Sequence, residues 1–138
     1  MIRLFIFGTL KCGFPNSAIN QGHNIKGRFK TRQAYPLLLV GDRHSPWLVD
    51  EPGSGYQVTG EIFKVDKATL RAMDKLERID QPDGYRRTKI AVENSYTGET
   101  LLVDAYLKPP DQLNKHEVMG GPYREYTLDH ASQYQSRN

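Results

Sequence analysis

Short runs of β-forming residues, each closed by glycine, proline or asparagine, follow one another along most of this chain. They predict strands at residues 2–7, 26–35, 56–65, 85–93 and 99–107. One segment alone has a helical pattern, and it begins after Asp66, whose carboxylate is a good N-cap, and runs to about residue 79. Strands and helices do not alternate, which excludes a doubly wound parallel fold. The pattern predicts an α+β domain built on a mostly antiparallel sheet that can close into a barrel.

The chain has the length of one domain, because its 138 residues lie within the usual range of ~100–150. The regular pattern ends at Pro109-Pro110. We therefore assign residues 1–110 to the domain and 111–138 to a polar C-terminal tail that packs partly on it. No apolar run approaches the ~20 residues of a membrane span. The apolar stretch within the first ten residues is too short for the core of a signal peptide. A cytoplasmic protein without a membrane segment is expected.

The net charge and the spacing of potential metal ligands argue against two further classes of function. The net charge is +3, and the densest basic region, residues 26–32, lies on a predicted strand, where charges are typical of a solvated face. We therefore expect no nucleic-acid partner. None of the four histidines lies three or four residues from another, and the single cysteine, Cys12, has no cysteine partner. The usual zinc spacings are absent, so we expect no metal and no cofactor.

A glycine loop follows the first predicted strand. Gly8 and Gly13 have the spacing of a phosphate loop, but Phe14-Pro15 stands where such a loop needs Lys-Ser or Lys-Thr. A buried strand that ends in a glycine turn exposes consecutive backbone N–H groups, which bind carboxylates or carbonyl oxygens. A tight turn that needs glycine only for its geometry is the simpler alternative. The loop by itself leaves both explanations open.

Glu77 is the most informative single residue of the chain. On a helical wheel of ~100° per residue with Leu70 at zero, Met73 and Leu76 centre the apolar face near ~300°. Glu77 falls at ~340°, inside this face, whereas Asp74 and the basic residues of the segment lie well off its centre. A buried carboxylate must be paired, protonated or used. A glutamate at the edge of the apolar face, with its head in solvent, is the equally simple alternative.

Seven motifs, in this order, resemble the γ-glutamylcyclotransferase-like family, and most closely its γ-glutamylamine cyclotransferase branch. The resemblance covers roughly residues 1–108. The motifs are FIFGTLKCGFPN at 5–16, YPLLLVG at 35–41, SPWL at 45–48, PGSG at 52–55, VTGEIFKVD at 58–66, MDKLE at 73–77 and GYRR at 84–87. The glycine loop alone is moderately specific, whereas the ordered series is strongly so.

The resemblance implies a small β-barrel flanked by a few helices, and an enzyme that converts a small γ-glutamyl amine into 5-oxoproline and a free amine. The catalytic acid/base of the family is the glutamate at the end of the helix, here Glu77. Its substrate-cradling loop corresponds to Phe7, Gly8, Thr9 and Leu10. Phe7 departs from the family, which usually has tyrosine there, so any hydrogen bond from that phenol is lost. The identity of the amine and the oligomeric state are left open by one sequence.

Trp47 and Tyr85 are the next candidates for walls of the substrate pocket, and plain core aromatics are an equally good explanation for both. Arg86 either pairs with a carboxylate near the site or forms a salt bridge on a strand face. The catalytic hypothesis has two competitors. One is a non-catalytic member of the same fold that binds a small metabolite. The other is a basic barrel that binds single-stranded nucleic acid, which requires aromatic residues on an exposed basic face.

Overall fold

This computed structural model describes residues 1–137 of the chain. These residues contain eight strands and two α-helices. In chain order the strands are β1 (Ile2–Ile6), β2 (His23–Thr31), β3 (Leu37–Val40), β4 (Ser45–Leu48), β5 (Thr59–Val65), β6 (Arg86–Asn94), β7 (Thr100–Leu107) and β8 (Val118–Gly120). The helices are α1 (Lys67–Glu77) and α2 (Leu128–Ala131), and single 3-10 turns lie at Ser17–Ile19, Pro110–Gln112 and Lys115–Glu117.

Five strands form a closed barrel in the order β1-β5-β2-β6-β7. Every neighbouring pair is antiparallel except β1 and β7, which close the barrel in parallel. A closed barrel leaves no open sheet edge, which protects such short strands from pairing with other chains. The predicted α+β class and the small, mixed, mostly antiparallel barrel flanked by helices are therefore confirmed.

Beside the barrel lies a small antiparallel sheet in the order β4-β3-β8. Its third strand, β8, comes from the segment that follows Pro110, and its Gly120 pairs with Leu39. Two further residues of this segment bond to the body of the protein: the Arg124 carbonyl accepts from the Thr59 amide, and the Tyr123 amide donates to the Leu37 carbonyl. This segment thus supplies both a strand and backbone hydrogen bonds to the fold.

One hydrophobic core joins the barrel, helix α1 and the C-terminal segment. Met73 of α1 and Tyr126 of the C-terminal segment are both fully buried in the same cluster as the barrel side chains. The other largest fully buried side chains are Leu4, Phe5, Phe29, Leu37, Leu48, Ile62, Leu107, Val49, Val58 and Val65. No helix among residues 1–137 is long and apolar enough to span a membrane.

The second strand differs from its predicted extent of 26–35. It spans His23–Thr31, and its register shifts between Ile25 and Phe29, around Gly27 with φ of +141°. The Thr31 hydroxyl then ends the ladder, because it accepts a hydrogen bond from the Val58 amide at 2.9 Å and donates one to a backbone carbonyl. Residues 32–35 therefore belong to the connection toward β3 and not to a barrel strand.

Candidate active site

One cavity lies between the loop that follows β1 and the C-terminal end of α1. Its volume is about 490 Å³, including the open mouth. It brings together six of the seven residues that the sequence predicts for the site: Phe7, Gly8, Thr9, Leu10, Glu77 and Tyr85. The remaining walls come from Phe5, Ile6, Asn16, Arg43, Ser45, Pro46, Leu76, Tyr106, Tyr134 and Arg137.

The glycine loop presents backbone donors without protein partners. Its carbonyls are occupied, because those of Gly8, Thr9 and Leu10 accept hydrogen bonds from Lys11 N at 3.1 Å, Asn16 N at 2.8 Å and Asn20 Nδ2 at 3.1 Å. Within residues 1–137, the amides of residues 8–10 donate to no protein group. Buried backbone donors are almost always paired. Three consecutive unpaired amides on a cavity wall can therefore hold a carboxylate or a carbonyl oxygen.

Asn16 holds this loop in shape. Besides its backbone bond to Thr9, its side-chain amide donates to the Thr9 hydroxyl at 2.9 Å and to the Tyr134 hydroxyl at 3.3 Å. On the other side of the loop, a Cβ at Gly8 would lie 3.0 Å from Cγ of Pro46, so a larger residue there would require the proline ring to shift by a few tenths of an ångström. The sequence places Asn16 in the loop motif but gives no sign of this bracing role.

Glu77 is the last residue of α1 and is held there by backbone geometry. Helix α1 ends because Arg78 adopts the left-handed conformation, with φ of 55° and ψ of 45°. The chain then folds back, and the Tyr85 amide donates to the Glu77 carbonyl at 3.0 Å. Gly84 approaches so closely that a Cβ there would overlap the Arg78 carbonyl. The Glu77 side chain therefore lies on the side of α1 that faces away from the solvent-exposed residues of the helix, and it lines the cavity.

The surroundings of Glu77 raise the protonated fraction of its carboxyl group near neutral pH. Burial raises the pKa of Glu77 to about 7, although the positive charges of Arg137, Lys108 and Arg43 favour ionisation. Within residues 1–137 the Glu77 carboxylate forms no ion pair, in contrast to the other acid of the helix, Asp74. A carboxyl group that titrates near pH 7 can both accept and donate a proton at that pH.

Asp74 lies closer to the body of the protein than its wheel position predicts. Its carboxylate accepts a hydrogen bond from the Tyr106 hydroxyl at 2.6 Å and lies 3.3 Å from Nε of Arg87. Both contacts come from barrel strands, and they compensate the negative charge of the Asp74 carboxylate. Burial, together with this bond to Asp74, raises the pKa of the Tyr106 hydroxyl far above its usual range. Glu77 is consequently the carboxylate on this helix that stays available for chemistry.

Tyr85 is a neutral wall of the same cavity. Its hydroxyl donates to the Pro46 carbonyl at 2.6 Å, and its ring is 5% exposed. Burial raises the pKa of this phenol well above its usual value, and the negative charge of Glu77 adds to the effect. Tyr85 therefore remains protonated and supplies shape and a fixed dipole at physiological pH.

Trp47, the seventh predicted residue, does not line the Glu77 cavity. It lines a neighbouring open cleft, in which the Lys108 ammonium lies 4.2 Å from the Trp47 ring centre and 4.7 Å from that of Tyr85. Lys108 also donates to the Asp83 carbonyl and to Gln112 Oε1. Burial lowers the pKa of Lys108 to about 8. The cleft and the Glu77 cavity share four lining residues: Arg43, Ser45, Tyr85 and Arg137.

Among residues 1–137, Arg86 forms neither of the pairings that the sequence suggests. One guanidinium nitrogen, Nη1, shares its two hydrogens among four backbone carbonyls at 3.0 to 3.3 Å, those of Ile79, Gln81, Gly84 and Tyr85. These carbonyls lie in the loop between α1 and β6, outside the helix and the sheet ladders, and Arg86 supplies donors to them. Arg86 thus stabilises the loop that turns the chain back from Glu77.

The contributions of Arg43, Tyr134 and Arg137 could not be found from the sequence. They come from a short connection and from the C-terminal segment, and they reach the cavity only through the folded chain. Arg137 Nη1 donates to the Leu76 carbonyl at 2.8 Å, and the Gln135 amide donates to the Arg43 carbonyl at 3.0 Å. No periodicity or local motif reports contacts over such sequence separations.

Metal-binding side chains are not gathered anywhere in the described part of the chain. Across residues 1–137, no group of three or more histidine, cysteine, aspartate or glutamate side chains is arranged to hold a metal ion. The polar groups of residues 1–137 that line the cavity are one carboxyl group, three backbone amides, several hydroxyl groups and the cations of Arg43 and Arg137.

Comparison with known proteins identifies the family. Residues 4–125 match the family model described as gamma-glutamyl cyclotransferase, AIG2-like. The gamma-glutamylaminecyclotransferase of Mus musculus is 40% identical over 98 residues, which cover 67% of this chain and 64% of the mouse protein. Gamma-glutamylaminecyclotransferase C of Danio rerio is 36% identical over 124 residues, which cover 81% and 80%. The matched part of the chain thus spans slightly less than two thirds of the mouse relative.

A solved structure agrees over the full chain. The crystal structure of an AIG2-like protein from Mus musculus is similar with a TM-score of 0.82 and 28% identity, and the match covers 100% of this chain and 96% of the mouse chain. The family match includes the glycine loop, helix α1 and the barrel, all of which form the walls of the Glu77 cavity. The chain belongs to the gamma-glutamyl cyclotransferase, AIG2-like family.

Proposed function

We propose that this protein is a γ-glutamylamine cyclotransferase, which releases 5-oxoproline and a free amine from a small γ-glutamyl amine. One observation carries the proposal: a carboxyl group with a pKa of about 7 shares its cavity with three buried backbone amides that have no protein partner among residues 1–137. The names of the mouse and zebrafish relatives support the same activity.

The reaction needs one proton acceptor and one proton donor. The ionised Glu77 removes a proton from the substrate's α-ammonium, and the free α-amine attacks the γ-carbonyl carbon to form the five-membered ring. Protonated Glu77 then returns a proton to the departing nitrogen as the original carbon–nitrogen bond breaks. The ring nitrogen gives up its second proton to the released amine, which leaves as an ammonium. The nucleophile belongs to the substrate, so holding the glutamyl chain in a folded geometry supplies much of the rate.

The glycine loop orients the glutamyl part of the substrate in this scheme. The amides of Gly8, Thr9 and Leu10 are donors for its carboxylate or for the oxygen that becomes negative during the attack. In other enzymes, loss of one such donor lowers the rate by about 10²–10³. Phe7 lines the cavity without a hydroxyl, so binding here depends on the backbone and not on a phenol at that position.

We assign the departing amine to the cleft beside Trp47. This cleft shares its wall residues Arg43 and Arg137 with the Glu77 cavity, and Lys108 occupies the face of the Trp47 ring. Three cations line this cleft, Arg43, Lys108 and Arg137, and so do two carboxylates, those of Asp83 and Glu117, which leaves an excess of one positive charge. This excess disfavours a further positive charge and favours an amine that carries a carboxylate. We therefore expect a γ-glutamyl conjugate of an amino-acid side chain, such as γ-glutamyl-ε-lysine, to react faster than a conjugate of a diamine.

The test measures 5-oxoproline release from three compounds: γ-glutamyl-ε-lysine, γ-glutamylputrescine and a γ-glutamyl-α-amino acid. The proposal predicts product from the lysine conjugate at the highest kcat/KM. The lysine conjugate acetylated on the glutamyl α-nitrogen is the matched control, because this nitrogen can no longer attack the γ-carbonyl. It should give no product, whereas ordinary hydrolysis would release N-acetylglutamate from it.

The other outcomes have definite meanings. Preference for the α-amino acid conjugate would move the protein to a different branch of the family. No product from any conjugate, with measurable binding of 5-oxoproline, would favour the non-catalytic metabolite-binding alternative.

A further inference from the structure

We propose that Arg137, in the C-terminal segment, is a positioning residue for Glu77. Arg137 ties the last turn of α1 to this segment and keeps a positive charge near the Glu77 carboxylate. The proposal rests on the proposed function, in which Glu77 exchanges protons with the substrate. Arg137 is 60 residues distant in sequence from Glu77, and no motif of the chain points to it.

The first support is a direct contact with the helix that carries Glu77. Arg137 Nη1 donates to the carbonyl of Leu76, the residue before Glu77, at 2.8 Å. The last carbonyls of a helix have no partner within the helix and bear its negative end. A guanidinium at this place therefore satisfies one of them and opposes fraying of the turn that holds Glu77.

The second support is the way the segment is anchored around the cavity. Just before Arg137, the Gln135 amide donates to the Arg43 carbonyl at 3.0 Å, and the Tyr134 hydroxyl accepts from Asn16 at 3.3 Å. Both partners are themselves walls of the Glu77 cavity. The segment thus spans from the glycine loop to the helix end, and Arg137 lines both the cavity and the neighbouring cleft.

The third support is electrostatic. The charged and titratable groups that face Glu77 are Arg43 before β4, Tyr85 before β6, Tyr106 and Lys108 at the end of β7, and Tyr134 and Arg137 of the C-terminal segment. Burial raises the pKa of Glu77, and Arg137 is the strongest of the influences that lower it. Because the Arg137 side chain is exposed, its influence should weaken as salt increases.

The experiment compares R137Q and R137K with the wild type, with R124Q as the matched control. Arg124 belongs to the same segment and is exposed, but it stacks on Tyr56 at 4.2 Å and does not line the Glu77 cavity. The pH dependence of kcat/KM is measured at low and high salt. In parallel, the ¹³C shift of the Glu77 carboxyl is followed against pH, which requires no turnover.

Three results are expected. In R137Q the acid limb of kcat/KM and the Glu77 titration both move to higher pH, so activity falls more at pH 6 than at pH 8.5. R137K keeps the charge and stays near the wild-type profile, and R124Q is unchanged. Added salt moves the wild-type titration upward and moves that of R137Q less.

Two results would overturn the proposal. If the Glu77 carboxyl titrates at the same pH in R137Q as in the wild type, the positioning role is excluded. A raised KM of R137Q together with that unchanged titration would make Arg137 a direct substrate contact. An equal shift in R124Q would show a general charge effect. Absence of turnover in the wild type would contradict the proposed function, whereas the carboxyl titration would still decide the role of Arg137.

Discussion

At the scale of single residues, Glu77 is held in a position that opposes its own ionisation. A carboxyl group in solution titrates near pH 4.5, whereas the packed walls of the cavity raise the pKa of Glu77 to about 7. Residues that serve only stability are rarely kept in such surroundings without a partner. The pH dependence of stability therefore provides a test that needs no substrate.

Glu77→Gln is expected to stabilise the protein at alkaline pH. Because the folded-state pKa lies above the unfolded value, the folded protein binds more protons between pH 4.5 and 7, and wild-type stability declines as pH rises through that window. The full difference corresponds to about 3–4 kcal/mol at most. Below pH 4.5 both states are protonated, and the carboxyl imposes no cost.

Urea unfolding at pH 4.5 and pH 8 measures this difference, with Glu51→Gln as the control at an exposed loop position. We expect the advantage of Glu77→Gln over the wild type to grow between the two pH values, and that of Glu51→Gln to stay near zero. A constant difference at both pH values would mean that the Glu77 carboxyl is ordinarily solvated.

At the scale of elements, the unit that fixes Glu77 is helix α1 together with the return loop to β6. Its start and its turn could be predicted, because Asp66 is an N-cap that accepts from the Thr69 amide at 2.8 Å and because Pro82-Asp83-Gly84 is strong turn chemistry. The bracing by Arg86 could not, since four carbonyl acceptors arise from the path of the backbone and not from any side-chain pattern.

Gly84→Ala is expected to destabilise the fold and to slow the reaction. A Cβ at this position would overlap the Arg78 carbonyl, so the loop that holds the Glu77 carbonyl through the Tyr85 amide must shift. Changes of this kind cost about 2–4 kcal/mol. Urea unfolding gives the stability, and kcat/KM for 5-oxoproline release gives the effect on the site.

Gly98→Ala separates crowding from backbone strain. Gly98 has a φ of 77° in the exposed hairpin between β6 and β7, and a Cβ there meets nothing within 4 Å. It should cost about 1–2 kcal/mol through left-handed strain alone and leave kcat unchanged. If Gly84→Ala cost no more than this control, close packing at the return loop would not be what holds Glu77.

At the scale of the whole molecule, the site draws on widely separated parts of the chain. Its walls come from the loop after β1, the end of α1, and the C-terminal segment, which contributes Tyr134 and Arg137. The local parts were predictable from the sequence, because turn residues and helical periodicity carry them. Contributions of the C-terminal segment were not, because its polar composition indicates exposure while Tyr126 within it is fully buried.

Two substitutions of Tyr126 test whether the segment beyond residue 110 is an integral part of the domain. Within residues 1–137 the Tyr126 hydroxyl is buried without a hydrogen-bond partner, so Tyr126→Phe should change stability by less than about 1 kcal/mol. Tyr126→Ala removes a fully buried ring beside Phe14 and should cost about 3–5 kcal/mol.

The free energy of unfolding of both Tyr126 variants, measured in urea at one pH, checks this prediction. A small and equal effect of the two substitutions would indicate that the segment packs loosely and is dispensable for the core. A large loss in the alanine variant alone would make the segment part of one cooperative unit with the barrel.

The most direct test of the account is the rate of 5-oxoproline release by Glu77→Gln beside the wild type. Glutamine keeps the shape of the side chain but neither accepts nor returns a proton, so kcat should fall by at least ~10². The near-ultraviolet circular dichroism and the affinity for 5-oxoproline should remain close to those of the wild type, since the loop amides are untouched. A Glu77→Gln protein that retains kcat within a few-fold of the wild type would contradict the central role of this carboxyl group.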